Sequence, residues 1–466
     1  MSNQRSRKIN GSITEGSLRS SIWKLAIPMM IGAVLQNLFA LADLFFVGKL
    51  GHIAVAALSI SDIILAVIIM LAMGISSGST ALIAHFVGKN DYDNADSVLF
   101  QTVIISAVCT FAMIIIGLFC TTWLLRLFGA TPAIIPAASE YLKINFIWSI
   151  FIFLFIGISQ ALRGSGDAVV PLKVLVFANL LNIALDPIFI FGWGFIPRME
   201  VAGSAIATII SECAGVCMLL WHLLFGHSTL HFRKAILKVN ITLIVRIIKI
   251  GVFASVEVLL RQISILLLIH LVASYGDTCI AAFGIVTQIR MAIMMLGLGM
   301  GIACSVIIGQ NMGAGHPDRA EEAGKQTLLY YEYIVFPVAI IFFVFAKSIV
   351  SAFNTHPEVV QIGSSFLRYI AVTLPFLASA LILGRGINGA GDTLAPAVMT
   401  GIFQLGFRIG VAYLIAIVLK LGTNGLWVGI NVSDICQGIT MFWYFKKGYW
   451  KKCYYKQSSA IEFENL

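Results

Sequence analysis

Apolar stretches of membrane-spanning length recur along nearly the whole chain and are separated by short polar breaks. One crossing of a bilayer as an α-helix needs about 20 mostly apolar residues, and twelve such stretches follow one another. The pattern predicts an all-α integral membrane protein with transmembrane helices at residues 22–47, 53–84, 97–125, 136–162, 169–194, 201–225, 243–273, 277–308, 324–352, 360–386, 393–420 and 423–445.

An internal repeat divides these stretches into two sets of six. Lys24–Pro171 aligns with Lys249–Pro396 without a gap, and 31 of 148 positions are identical. Because six is even, the second copy enters the membrane in the same orientation as the first, which predicts two six-helix bundles related by a pseudo-twofold axis along the membrane normal. The predicted division is a cytoplasmic tail 1–21, a first bundle 22–225, a cytoplasmic linker 226–242, a second bundle 243–445 and a cytoplasmic tail 446–466.

The composition supports a membrane protein and excludes a soluble one. Of the 466 residues, 59% are hydrophobic and 11% are charged, against roughly 25% charged in soluble domains. With the N-terminus in the cytoplasm, 21 of the 31 Lys and Arg fall on the cytoplasmic side and five on the outer side. The positive excess therefore indicates orientation and not nucleic-acid binding. We expect a monomer in the cell inner (plasma) membrane, surrounded by the lipid bilayer, with both termini cytoplasmic.

Two parallel helical bundles are typical of transporters that work by alternating access. The sequence contains no GxxxxGK[ST] phosphate loop, so we expect an ion gradient and not a nucleotide to drive transport, without a cofactor. The stretch Gly74–Gly78 matches the G-x-S-x-G sequence motif of the nucleophile elbow of hydrolases, but that motif needs a strand before its turn. We therefore expect no enzyme activity.

Two carboxylates, Asp43 and Asp186, lie in the outer half of the first bundle, at a depth where a charge is costly and marks a functional site. Asn182 shares a helix face with Asp186, and Thr208 lies at a similar depth. These oxygen groups suit a sodium ion, or a proton held on a buried carboxylate, whereas the alternative is that the aspartates only cap or brace helices. The repeat favours a function, because the second copy does not duplicate the two aspartates and the asparagine. Their counterparts in the register of the repeat are Leu268, Phe407 and Val411.

A second group of intramembrane charges lies mostly in the later half of the chain. Glu257 precedes Arg261 by one helical turn, which is the favourable order for an intrahelical ion pair; the alternative is that the two residues line a cavity of the second bundle. Arg290, Arg408 and Glu212 are further charges of this kind, and the sequence leaves open whether they belong to the same network.

Several motifs resemble multidrug and toxic compound extrusion (MATE) transporters, in particular the prokaryotic branch related to the DNA-damage-inducible protein F type. The resemblance covers essentially the whole chain. The motifs that carry it are LADLFFVG at 41–48, NIALDPIFI at 182–190, the paired loops VGKNDYDNA at 87–95 and MGAGHPDRA at 312–320, and the paired turns RGSGD at 163–167 and NGAGD at 388–392.

The resemblance implies a secondary antiporter that exports cationic or amphipathic organic compounds in exchange for sodium ions or protons. By resemblance, the coupling site consists of Asp43, Asn182, Asp186 and Thr208, and the substrate cavity includes Gln36, Asn37, Tyr141 and Glu257. The chain departs from other branches in one respect. They carry a glutamate one helical turn beyond Glu257, where this chain has Arg261, and this puts a coupling role for the second bundle in doubt.

Two other functions remain as alternatives. A flippase for lipid-linked saccharides from the same superfamily usually has fourteen spans and a more cationic central cavity, whereas this chain has twelve predicted spans and an acidic first bundle. An integral membrane enzyme acting on a lipid carrier needs polar catalytic residues in a membrane-adjacent loop, and the loops of this chain are short and plain.

Overall fold

The structure is a computed structural model that describes residues 11–226, 228–232 and 238–452. Residues 1–10 of the predicted N-terminal tail, part of the 226–242 linker and most of the C-terminal tail lie outside the described residues. The described residues are almost entirely helical and contain no β-strand beyond an isolated bridge between Trp193 and Ile196.

Within the described residues, twelve long helical segments follow one another in the order that the sequence predicts, which confirms the fold class. The fourth segment consists of two helices that meet at Trp148 with a bend of 53°. The segments are α1 Leu18–Gly48, α2 His52–Gly88, α3 Tyr92–Phe119, α4 Ile135–Ile147 with Ser149–Gly164, α5 Val169–Phe191, α6 Glu200–Phe225, α7 Ile241–Ala273, α8 Asp277–Gly313, α9 Pro317–Val344, α10 Pro357–Gly389, α11 Leu394–Val418 and α12 Gly422–Lys447.

Most of these segments are suited to crossing a membrane by length and composition alone. Within the described residues, nine of them pass such a test, and the bent α4 makes a tenth. The other two segments are α7, which carries Glu257 and Arg261, and α12, which carries Asp434. The chain is therefore a multi-pass membrane protein in which α7 and α12 hold intramembrane charges.

The backbone repeats in the same register as the sequence. Left-handed backbone conformations, which L-residues other than glycine rarely adopt, recur at equivalent turns of the two copies. The pairs are Gly51 (φ 106°) with Gly276 (φ 92°), Asn90 (φ 60°) with Gly315 (φ 77°), and Gly166 (φ 97°) with Gly391 (φ 91°).

The helices form two compact units whose limits lie inside α1 and α7. Among the described residues, the first unit extends from Ile31 to Val252, and the second contains Ser12–Met30 together with the residues from Phe253 onward. These limits differ from the sequence-based division at 22–225 and 243–445, because the first part of α1 packs with the second unit and the first part of α7 packs with the first unit.

Close backbone packing at glycines explains why the first part of α1 belongs to the second unit and the first part of α7 to the first unit. In the first unit, a Cβ at Gly78 of α2 would overlap the Ile247 carbonyl oxygen of α7. In the second unit, a Cβ at Gly299 of α8 would overlap the backbone of Met30 in α1. Small residues allow two helices to approach closely in a membrane, where packing replaces the hydrophobic effect as the force between helices.

The contact between α5 and α6 also depends on a glycine. A Cβ at Gly203 of α6 would overlap the carbonyl oxygen of Phe189 in α5. We expect Gly203→Ala to destabilise the first unit by about 1–3 kcal/mol, the usual cost of overpacking, as a lowered melting temperature in detergent. Gly48→Ala is the matched control, because no atom lies within 4 Å of the added Cβ. Equal melting temperatures for the two variants would contradict this packing.

Candidate functional site

The two aspartates singled out in the sequence lie at matching depths of the first unit. Asp43 is five residues before the end of α1, and Asp186 is five residues before the end of α5. Both helices continue through a proline, Pro28 in α1 and Pro187 in α5. Because proline has no backbone N–H, Pro187 leaves the Ile183 carbonyl without its usual helical donor one turn before the site.

The amide of Asn182 connects α1, α5 and α6. The hydrogen-bond network orients this amide so that its nitrogen donates to Asp43 Oδ1 at 2.8 Å and its oxygen faces Thr208; the orientation of such an amide is assigned from its partners. Its oxygen then accepts from Thr208 Oγ1 and from the Thr208 backbone N–H, each at 3.3 Å. The structure thus joins Asp43, Asn182 and Thr208 in one hydrogen-bonded group.

Asp186 completes this group and is its most buried member. Its side chain is fully buried, and neither carboxylate oxygen has a hydrogen-bond donor among the described residues. The Asp186 carboxyl contacts the carboxyl of Asp43, which is partly exposed. Two adjacent carboxylates repel each other unless a proton or a cation lies between them, so the pair can hold a single positive charge.

Two further carboxylates that the sequence analysis did not assign to this site lie around Tyr141. The Tyr141 hydroxyl donates a hydrogen bond to Asp62 of α2 and interacts electrostatically with Asp43, Asp186 and Glu212. One oxygen of Glu212 is buried without a hydrogen-bond partner in the described part of the chain. We call Asp43, Asp62, Asp186 and Glu212 the acidic cluster.

The repeat contains a signal that would have pointed to Asp62. Its counterpart in the second copy is Thr287, so the second copy does not duplicate this carboxylate, just as it does not duplicate Asp43. The sequence left open whether Glu212 joins a network with the charges of the second bundle, and the structure places it in the first unit. The first unit therefore concentrates negative charge within the membrane.

The four residues expected in a substrate cavity are divided between the units. Gln36 and Asn37 are exposed on α1, and Tyr141 lies in the same unit beside the acidic cluster. Glu257 lies in the second unit, where it forms the ion pair with Arg261 that its spacing indicates, at 3.1 Å. It also accepts a hydrogen bond from the Asn388 amide at 3.1 Å.

The ligand atoms available in the first-unit site favour a hard ion. Over the described residues, no group of three or more His, Cys, Asp or Glu side chains has the arrangement of a metal site. The groups that do meet are two carboxylates, an amide and a hydroxyl, and such oxygen ligands suit sodium-like ions or protons better than transition metals.

Comparison with known proteins assigns the chain to a family. The MatE family model matches residues 28–188 and again residues 254–414, one match in each copy of the repeat. The probable multidrug resistance protein YoeA of Bacillus subtilis is 29% identical over 449 residues, which is 94% of this chain and 96% of that protein. The probable multidrug resistance protein NorM of Thermotoga maritima is 26% identical over 443 residues, covering 93% of this chain and 94% of that protein.

A solved structure shows that the likeness extends to the fold. The crystal structure of MATE in the bent conformation matches with a TM-score of 0.88 and 26% sequence identity, over 96% of this chain and 98% of that one. Because the family model covers more than half of the chain, once in each repeat, the chain belongs to the MatE family, whose members are membrane transporters and not enzymes.

Proposed function

We propose that this chain is a secondary active antiporter that exports cationic or amphipathic organic compounds in exchange for sodium ions or protons by alternating access. The observation that carries the proposal is the pair of touching carboxyls, Asp43 and Asp186, in which the buried Asp186 has no hydrogen-bond donor among the described residues. The multidrug resistance names of two relatives support the substrate class.

The exchange follows from the cost of an unpaired charge in the membrane. A bare carboxylate pair is unfavourable at this depth, so an ion or a cationic substrate lowers its free energy. Either the ion or the substrate can neutralise the carboxylate pair. If the site cannot move from one side of the membrane to the other while the pair is empty, the transporter exchanges one ligand for the other. In this proposal, Asn182 and Thr208 complete the ion site by their hydrogen bonds. When the Asn182 amide turns, its oxygen also becomes a ligand of the ion.

A flux experiment tests this function. Purified protein in liposomes loaded with a cationic dye should release the dye faster when an inward sodium or proton gradient is imposed. The ionophore that dissipates the effective gradient should remove this acceleration. Release that is equally fast without any gradient would rule out coupling to an ion. The lipid-flippase alternative has less support, because the described part of the chain has twelve long helical segments and an acidic first unit.

The proposed orientation in the plasma membrane makes a separate prediction. Single cysteines at Asn10, Ser228 and Ser458, in a background without the native cysteines, should react with a membrane-impermeant thiol reagent only after cells are permeabilised. The reason is the excess of Lys and Arg on the side of these segments. A cysteine at Lys49, in the turn between α1 and α2, is the control that should react in intact cells. Reaction at Asn10, Ser228 or Ser458 from outside would overturn this orientation.

A further inference from the structure

A buried group of three charges links three helices of the second unit. Asp434 of α12 accepts from Arg290 of α8 at 3.2 Å and forms a second, shorter ion pair with Arg408 of α11. The side chains of Arg408 and Asp434 are 2% and 0% exposed, and that of Arg290 is 17% exposed. We call Arg290, Asp434 and Arg408 the arginine triad.

The arginine triad carries more positive than negative charge. Two guanidinium groups share one carboxylate, which leaves one positive charge without compensation within the triad. Arg261 also interacts electrostatically with Arg290, and its own carboxylate partner, Glu257, is shared with Arg385. Uncompensated charge at membrane depth is costly, so this part of the second unit favours the arrival of an anion.

Unused hydrogen-bond donors lie in the same place. The buried Nε atom of Arg408 has no hydrogen-bond partner among the described residues, and neither has the buried Nε atom of Arg261. A guanidinium offers five N–H donors in a planar fork that fits the two oxygens of a carboxylate or phosphate. A buried donor without a partner has lost its hydrogen bonds to water without gaining another, and an oxyanion would supply the missing acceptor.

Two further observations indicate that the triad is not a part of the repeated scaffold. Arg290 lies within the aligned repeat, and its counterpart in the first copy is the aliphatic Leu65. In addition, α11 changes to π-helical turns at Gly401–Phe407 and Leu414–Val418, on both sides of Arg408, and such turns in α-helices are frequent at functional sites.

We propose that Arg290 and Arg408, held in place by Asp434 and assisted by Arg261, form an anion site that binds the carboxylate or phosphate group of an exported compound. The inference rests on the proposed export function in so far as the anion belongs to the substrate. It extends the substrate class from organic cations to zwitterions and amphipathic anions, which carry an acidic group of this kind.

Two related dyes provide a matched pair of probes. Rhodamine 110 has a free carboxylate, and rhodamine 123 is its methyl ester, so the two differ in the acidic group and share the same cationic ring system. Binding is measured by fluorescence anisotropy with the purified full-length protein and without any gradient. We expect rhodamine 110 to bind about tenfold more tightly than rhodamine 123, since one hydrogen-bonded charged group is worth roughly that factor.

Variants of the triad should change this preference in opposite directions. Arg290→Gln and Arg408→Gln each leave one arginine on Asp434, a neutral pair that keeps the fold, and each should remove the preference for rhodamine 110. Asp434→Asn leaves two arginines unpaired and should increase the preference. Arg368→Gln, which removes an exposed arginine from the same unit, is the control and should change nothing.

Each outcome decides the inference. Equal affinity of the wild type for the two dyes, or an unchanged preference in Arg290→Gln and Arg408→Gln, would overturn it. If chloride or inorganic phosphate binds in an arginine-dependent manner while the dyes do not differ, the site is one for free anions, and the substrate assignment is wrong. Asp43→Asn should leave the preference intact, so a failure of ion coupling and a failure of this anion site are distinguishable.

Discussion

Replacing either Asp43 or Asp186 by Asn should abolish ion-driven dye efflux while the protein remains folded and inserted. The change keeps the shape of each side chain and removes the charge that attracts the ion. Because Asp186 is buried without a hydrogen-bond donor among the described residues, its neutralisation also removes a desolvation cost, and the melting temperature should stay equal or rise. Efflux from liposomes under an imposed gradient and melting in detergent are the two measurements.

A control separates this role from a structural one. Glu332→Gln removes another intramembrane carboxylate, in α9 of the second unit, and should leave at least half of the efflux. If Asp43→Asn and Asp186→Asn transport normally, or if both lose activity only because their melting temperatures fall, the aspartates brace helices and do not couple transport.

The coupling ion and a cationic dye should weaken each other's binding. If both ligands neutralise the Asp43 and Asp186 pair, linkage requires that each lowers the affinity for the other by the same factor. Coupling of about 1–3 kcal/mol corresponds to a change of about 5–150-fold. The affinity of purified protein for rhodamine 123 should therefore fall as sodium is raised, or as the pH is lowered if the proton is the coupling ion.

The variants give this second prediction its specificity. Asp43→Asn should flatten the dependence of dye affinity on the ion, because only one carboxylate is left to neutralise. Potassium in place of sodium at equal ionic strength controls for screening of charge. If the dye affinity of the wild type changed with neither sodium concentration nor pH, exchange at the Asp43 and Asp186 pair would have no basis.

Much of the fold follows from the sequence, because it depends on local properties. Twelve apolar stretches of membrane-spanning length predict α1–α12, and the paired glycines of the repeat, such as Gly166 and Gly391, predict equivalent turns. The proximity of Asp43 and Asp186 also follows, since each lies five residues before the end of its helix and the two helices are predicted to run in the same direction. Depth along a helix is readable from a sequence because each residue adds a fixed rise along the helix axis.

Contacts that depend on which helix faces meet could not be predicted in this way. Asp434 carries the two arginines of the triad, yet the sequence offers no spacing that links α12 to α8 and α11. The packing of the first halves of α1 and α7 depends on Gly299 and Gly78, whose neighbours are distant in the chain. Asp62 was missed although the repeat distinguishes it, because its connection to the site depends on its proximity to Tyr141 and Asp43, which lie on other helices.

The most direct test of the central claim is ion movement driven by the substrate. Liposomes containing the wild-type protein and loaded with rhodamine 123 are diluted into dye-free buffer with equal sodium and pH on both sides. The outward dye gradient should then drive uptake of radioactive sodium or acidification of the lumen, and Asp186→Asn should show neither. Dye release from the wild type without any movement of sodium or protons would contradict exchange.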